Sequence, residues 1–473
     1  MVRRIPWTLV VMVTLVTSGV VSGATKASNA VSVATACVAQ PEYSAPTPPS
    51  KDPFYSAPNP LPPQSPGTVI ASRPTCLAGL EMGLPYKAWQ VMYLSTGVED
   101  SGGTPSILGA TPVADIATIV LPLDGTPGTG PLPLVSYQTA EDADSELSAP
   151  SYTLRSGFGS ADTAAVVSLL TQGDAVVVPD YEGLQSEFGA GVQAAHAVLD
   201  GIRAAESFAP AGLGGTPQAP TPVGLWGYSG GALATGWAAQ LAATYAPDVH
   251  IAGAAEGGVP ADPKAVVDNV NGSSSFAFLF YEAAVGDSVA YPNLFYDEDP
   301  NPGNGEVGGP ATTGFATVAN HAGQQMAAAY QAGQSPTVAP SISSYTWCGC
   351  NPADNPAEFP GLKELLDLNT MGRPGQVPDA PVYVYEAYFD ELVPFAGVQS
   401  LVDTYCSEGL AVTFHVAFTT EHVSEAVVDA PSAVEYLQAR LDGLAVPSTC
   451  GLPYNGGAPD PPVNTGGVLK GQI

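Results

Sequence analysis

Three side chains in this sequence combine the chemistry and the placement of a nucleophile, a base and an acid. Gly227-Tyr228-Ser229-Gly230-Gly231 is a G-x-S-x-G pattern between an apolar run at 223–226 and a helical stretch at 232–245. Strand, tight turn and helix in that order make a nucleophile elbow. The turn lifts the serine hydroxyl clear of the sheet, and side chains larger than hydrogen clash two residues to either side. The helix that follows aims its first N–H groups at the same point. Without these flanks the pattern would mean only a strand-to-helix turn with a capping serine.

A serine hydroxyl becomes a nucleophile when a base takes its proton, and histidine titrates in the useful range. The chain has five histidines. His196 precedes the serine, against the Ser, Asp, His chain order of such elbows. His250 and His321 come before any late strand that would carry the acid, and His415 lies inside an apolar run, where a packed histidine is expected. His422 stands in the loop Thr419-Thr420-Glu421-His422 just past that run, and is the expected base. The acid should follow the preceding strand, which points to Asp390, with Glu391 as its competitor and Asp379 and Asp403 read as solvated. Its role would be to fix the imidazole tautomer and stabilise the imidazolium. One oxyanion donor is the backbone N–H of Gly230, after the nucleophile. The pattern leaves the second open between 123–128 and 136–144.

The elements needed to hold these groups are legible as short apolar runs at 116–121, 175–178, 223–226, 250–255, 382–388 and 412–418, which read as strands. Helical patterns lie between them at 190–204 and 232–245; in the second, Leu233, Trp237, Leu241 and Tyr245 recur every four residues on one face. Alternation of this kind implies an α/β fold, a mostly parallel sheet covered on both faces. The alternation breaks at 259–375, a stretch rich in Ala, Gly and aromatic residues that reads as a helical cap over the carboxyl edge of the sheet. The expected organisation is therefore a signal peptide at 1–24, a Pro-rich arm at 25–70, a core at 71–258, the cap at 259–375, the rest of the core at 376–450 and a tail at 451–473. No repeat of solenoid or propeller length is present.

Composition narrows the function. The 44 Asp and Glu against 13 Lys and Arg give a net charge of −31. Nucleic acid is excluded as a partner, because phosphate contacts need clustered cations, and attachment to anionic lipid is disfavoured. Arg3 and Arg4, the apolar stretch at 5–21 and Ser22-Gly23-Ala24 form a secretory signal, with Ser28-Asn29-Ala30 as a second cut and an uncleaved anchor as the alternative. Six cysteines, Cys37, Cys76, Cys348, Cys350, Cys406 and Cys450, suit disulfides in an exported chain. Cys348-Gly349-Cys350 has no second pair or nearby histidine to complete a metal site. The acidic run from Asp297 departs from a calcium loop at Pro302 and Gly308 and reads as a surface loop. Asn271-Gly272-Ser273 is a glycosylation sequon, and Phe276, Phe278, Phe280 and Tyr281 read as cap core.

Several motifs in fixed order, from about Asp52 to Cys450, resemble the secretory lipase family. They are Val135-Ser136-Tyr137-Gln138 with Glu141-Asp142-Ala143, Ala149-Pro150-Ser151-Tyr152, Val178-Pro179-Asp180-Tyr181-Glu182-Gly183, Asp200-Gly201-Ile202-Arg203, the serine elbow, Asp390-Glu391-Leu392-Val393-Pro394 and Glu421-His422. The resemblance implies an α/β-hydrolase with a helical cap that hydrolyses triacylglycerols and simpler esters. It implies Ser229, Asp390 and His422 as the triad, Asp142 with Gly230 as the oxyanion hole, and a Cys406–Cys450 disulfide. An ionised carboxylate cannot donate, so Asp142 would act through its backbone N–H or a protonated side chain. No metal, organic cofactor or protein partner is implied. The expected partner is a lipid or small-molecule ester, with hydrophobic adsorption to lipid interfaces through the cap. The rival readings are peptide or polyester hydrolysis by the same triad, and a non-catalytic binding protein on the same fold.

Overall fold

The computed structural model describes residues 46–452, apart from 79–84, 99–105, 107, 110, 124–131, 158–159, 272, 274, 292–320, 335–343 and 345–359. The signal segment, Cys37, Cys348, Cys350, the acidic run at 297–308 and the tail beyond Leu452 lie outside the described residues.

In chain order the first half of the structure runs β1 (Val69–Thr75), β2 (Tyr86–Gly97), β3 (Thr111–Pro122), β4 (Leu134–Gln138), α1 (Pro150–Ser156), α2 (Ser160–Gln172), β5 (Ala175–Pro179), α3 (Gly191–Ser207), β6 (Val223–Tyr228) and α4 (Gly230–Tyr245). The second half runs β7 (Ile251–Gly257), α5 (Pro263–Val270), α6 (Ala277–Ala290), α7 (His321–Gln331), α8 (Pro360–Leu368), β8 (Val382–Ala387), α9 (Phe395–Ser407), β9 (Val412–Ala417), α10 (His422–Val428) and α11 (Ala430–Leu441). One sheet has the order β1-β2-β3-β5-β4-β6-β7-β8-β9. From β5 to β9 every pairing is parallel, while β1, β2 and β3 join it antiparallel.

The parallel strands are buried on both faces, and their side chains divide strictly by parity. Val223 and Leu225 of β6 and Val382 and Val384 of β8 enter the core shared with α3, α4 and α9. Trp226 and Tyr228, and Tyr383 and Tyr385, enter the opposite core with α2 and α11. Among the described residues, the segment between β7 and β8 holds α5, α6, α7 and α8, and Asp144 in the loop after β4 faces Glu282 and Asp287 of α6. No helix of the described residues is long and apolar enough to cross a membrane.

Several boundaries differ from the sequence expectation. The strands β1, β2 and β4 carry no clean apolar run, and β1 begins at Val69, inside the expected arm. The described part of that arm forms two short 3-10 turns, Pro49–Lys51 and Pro53–Tyr55. Phe54, Tyr55, Ala57 and Leu61 pack on Met92, Ala114 and Ile116. Asp52 caps the second turn through Phe54 N at 3.1 Å and pairs with Arg73 at 2.7 Å, while Arg73 lies over the Phe54 ring. The arm is thus part of the folded body.

Cys406 at the end of α9 is bonded to Cys450, with a sequence separation of 44 and a Cα–Cα distance of 5.4 Å. Cys76 is also disulfide-bonded. Closing a loop of that length removes on the order of 4 kcal/mol of chain entropy from the unfolded state. A Cys406→Ala/Cys450→Ala double variant should therefore unfold at lower urea concentration, with a loss of about 2–4 kcal/mol. An unchanged midpoint would show that the bridge leaves stability untouched.

Candidate active site

Ser229 sits where β6 becomes α4, with φ 54° and ψ −122°, a left-handed conformation that non-glycine residues rarely adopt. Its N–H is held by Gly257 O at 2.9 Å. The flanking glycines answer to close approach. A methyl on Gly227 would overlap the Gly231 carbonyl, and one on Gly230 would lie 2.5 Å from Asp142 Oδ1 and 2.6 Å from Glu141 O.

His422 and Asp390 reach this serine from two other strand ends. His422 Nε2 lies 2.8 Å from Ser229 Oγ, and its Nδ1 lies 2.6 Å from Asp390 Oδ2. The histidine is the first residue of α10, where the sequence suggested a loop. A capping box fixes that helix start: the Glu421 carboxylate accepts from Val423 N and Ser424 N, and Ser424 Oγ accepts from Glu421 N. Two further bonds hold the His422 backbone. Its carbonyl accepts from Tyr228 Oη at 2.6 Å, and its N–H donates to Glu391 Oε2 at 3.2 Å. Glu391, the sequence competitor for the acid, therefore bonds to the His422 backbone, while the imidazole makes its hydrogen bond to Asp390.

Asp390 stands three residues beyond β8. Its Oδ1 accepts from Leu392 N at 2.8 Å and Val393 N at 2.7 Å, which leaves Oδ2 for the imidazole. Burial alone would raise this carboxyl, but the His422 hydrogen bond and charge, with Glu386 and the Val393 amide, hold it below the ordinary value. His422 responds in kind: burial works to lower it, and Asp390 first, then Asp142 and Glu391, raise it above 6.5.

Asp142 lies in the loop after β4, and the parallel pairing of Gln138 with Gly227 brings that loop to the elbow. Burial pushes its carboxyl up to about 6, against the lowering effect of His422. Tyr181 pins the loop, its hydroxyl 2.9 Å from Thr139 O and 3.0 Å from Glu141 O. Gln138 Oε1 accepts from Thr235 Oγ1 of α4 at 2.7 Å. The neighbouring motif residue Asp180 accepts from Ser151 N and Oγ at 2.7 and 2.6 Å. Sequence patterning gave Tyr181 no role, because its value comes from a loop 40 residues away.

The remaining candidates lie elsewhere. Nδ1 of His196 is 2.9 Å from Thr96 O, and the ring stacks on Tyr245 at 4.2 Å. His250, Asp379 and Asp403 are exposed. Asp200 accepts from Ser95 Oγ, Tyr245 Oη and Arg203, so its motif ties α3 to β2 and α4. Among the described residues, one group brings metal-ligating types together, His415, Glu425 and Asp429. Its carboxylates already accept from Thr420, Tyr383 and Ser432.

The secretory lipase family model matches residues 151–296 and 354–448. A probable inactive lipase of Mycobacterium tuberculosis is 32% identical, over 84% of this chain and 83% of its own length. Lipase 4 of Candida albicans is 31% identical, over 86% of this chain and 84% of its own. The solved structure of Candida antarctica lipase A in its closed state covers 88% of this chain and 91% of its own, at 27% identity and a TM-score of 0.70. By sequence and by fold, the chain belongs to the secretory lipase family and has the α/β-hydrolase fold.

Proposed function

We propose that the chain is a secreted serine hydrolase that cleaves acyl esters, triacylglycerols among them, through a covalent acyl-enzyme. The observation that carries this is the unbroken line Ser229 Oγ, His422, Asp390, at 2.8 and 2.6 Å, set on a left-handed elbow. Ester hydrolysis is also the activity that the names of its lipase relatives state. As Ser229 attacks the ester carbonyl, His422 Nε2 takes the hydroxyl proton, and Asp390 stabilises the imidazolium without taking a proton itself. His422 then gives its proton to the leaving alcohol. A water molecule, deprotonated by the same nitrogen, attacks the acyl-enzyme, releasing the acid and returning Ser229.

The oxyanion is held by the backbone N–H groups of Gly230 and Asp142. With its carboxyl at about 6, Asp142 is ionised where His422 is neutral, and an ionised carboxylate accepts but does not donate. The helices between β7 and β8 form the cap and take the acyl chain. Export to an oxidising compartment suits the Cys406–Cys450 bridge. The second reading, a non-catalytic protein, draws on the relative named a probable inactive lipase. The joined Ser229, His422 and Asp390 weigh against it.

Among the described residues, exposed apolar side chains beside the triad offer a surface for contact with lipid. Phe389, Val423, Val427 and Val428 are each more than half exposed and flank Asp390 and His422. Val423 and Val427 are one helical turn apart, so they share a face of α10. With a net charge of −31, this surface suits uncharged lipid.

Three outcomes are expected. Wild type hydrolyses nitrophenyl esters from acetyl to palmitoyl, and Ser229→Ala loses on the order of 10⁶ in kcat; inertness of wild type toward every ester and toward a covalent serine probe would favour the binding protein. Asp142→Ala keeps its backbone donor and stays within about tenfold of wild-type kcat, whereas loss of a true side-chain donor costs about 10²–10³. Val423→Asp/Val427→Asp binds triolein droplets at least about tenfold more weakly, since burying each valine is worth about 1.5–3 kcal/mol. Its turnover of soluble nitrophenyl acetate should be retained; equal binding by both proteins would place the contact surface elsewhere.

A further inference from the structure

Glu386 is a fully buried glutamate on β8, four residues before Asp390 on the strand that delivers it. Neither of its carboxyl oxygens meets a partner in full hydrogen-bonding geometry. An ionised carboxylate in that state would be strongly destabilising. The groups that face it are Asp390 from the loop after β8, Glu425 from α10, Tyr228 from β6 and Tyr385 from β8 itself. None of them is a cation.

We propose that Glu386 is a positioning residue of the site: it stays a neutral carboxylic acid, turns its proton toward the Asp390 carboxylate and so sets how strongly Asp390 draws charge from His422. The inference rests on the triad reading above and deepens it. Burial, then the Asp390 charge and contact, push Glu386 well above the ordinary glutamate range. The same contact helps to hold Asp390 below its own. Asp390 already spends Oδ1 on two backbone amides and Oδ2 on His422. A further donor spreads its negative charge and weakens its pull on the imidazolium, which Asp142 and Glu391 also face. No proton is transferred in this role.

Wild type, Glu386→Gln and Glu386→Leu separate this role from simple core packing. The His422 imidazole pKa is read by NMR, which needs no turnover, beside the acid limb of kcat/KM on nitrophenyl butyrate. Removing the donor concentrates charge on Asp390. In Glu386→Leu both values should therefore rise by about half a unit or more, roughly a threefold change in the protonation constant. Glu386→Gln keeps an N–H donor and should titrate near wild type. Equal values in all three proteins, or equal shifts in both variants, would overturn the proposal. Should Glu386→Leu not fold, the infrared difference between wild type and Glu386→Gln at neutral pH decides: a protonated-carboxyl band belonging to wild type supports the role, and its absence removes it. If esters are not hydrolysed at all, the NMR and infrared arms still judge Glu386, while the triad reading fails separately.

Discussion

Ser229 holds a backbone conformation that costs a non-glycine residue about 1–3 kcal/mol, and the rest of the site exists around that constraint. The conformation survives because both flanks over-determine it. On one side is β6, paired in parallel with β4 and β7; on the other is α4, whose first turn already bonds back to the Ser229 carbonyl through Ala232 N and Leu233 N. Left alone, the turn would relax. Within the sheet it projects one hydroxyl toward the carboxyl ends of the parallel strands, and every other group arrives at that edge from a neighbouring strand end. Asp142 comes after β4, Asp390 after β8 and His422 after β9.

The legible parts of the sequence were those whose signal is local. The elbow is written in five consecutive residues and two flanks, so both Ser229 and its setting could be read directly. The parallel strands β5, β6, β8 and β9 showed because burial on both faces demands continuous apolar runs. By contrast β2 carries Lys87, Gln90, Ser95 and Thr96 within a buried strand, which breaks any apolar pattern. Its polar groups are satisfied from far along the chain: Gln90 bonds Ser151 O and Arg73, and Ser95 bonds Asp200. Such partners are invisible to a short window. β4 is only five residues long and follows Pro-Leu-Pro, so its strand identity depends on the neighbours it inserts between.

The same distinction explains the site. Chain order and strand ends, which are topological rules of the fold, point to Ser229, His422 and Asp390. Asp142 has no pattern of its own within 136–144 and is implied only by the family resemblance, because its position depends on a loop held by Tyr181. The His422 start of α10 carries no recognisable helix-start signal, because its cap is made by Glu421, an unusual N-cap whose bonds run to Val423 and Ser424. Asp52, an ordinary acid in a Pro-rich arm, proved to be the link between arm and sheet through Arg73.

A chain with so many acids raises the question of how one carboxylate stays charged at the centre of the site. Burial raises Asp144 to about 9, Glu282 and Glu256 to about 8, and Glu141 and Glu182 well above the ordinary value. Glu256, Glu141 and Glu182 each have a buried oxygen without a hydrogen-bond donor. These groups hold their protons near neutrality, so the formal charge of −31 overstates the charge the fold carries. The Asp390 side chain is wholly covered too, yet it moves the other way. The difference lies first in His422, whose hydrogen bond and charge are the largest of the effects that lower Asp390. Leu392 N, Val393 N and His422 Nδ1 converge on Asp390, and together with the His422 charge they outweigh its desolvation cost. Charge at this edge of the sheet is therefore placed by His422 and by the turn after β8, which together hold Asp390 low among carboxyls that burial pushes up.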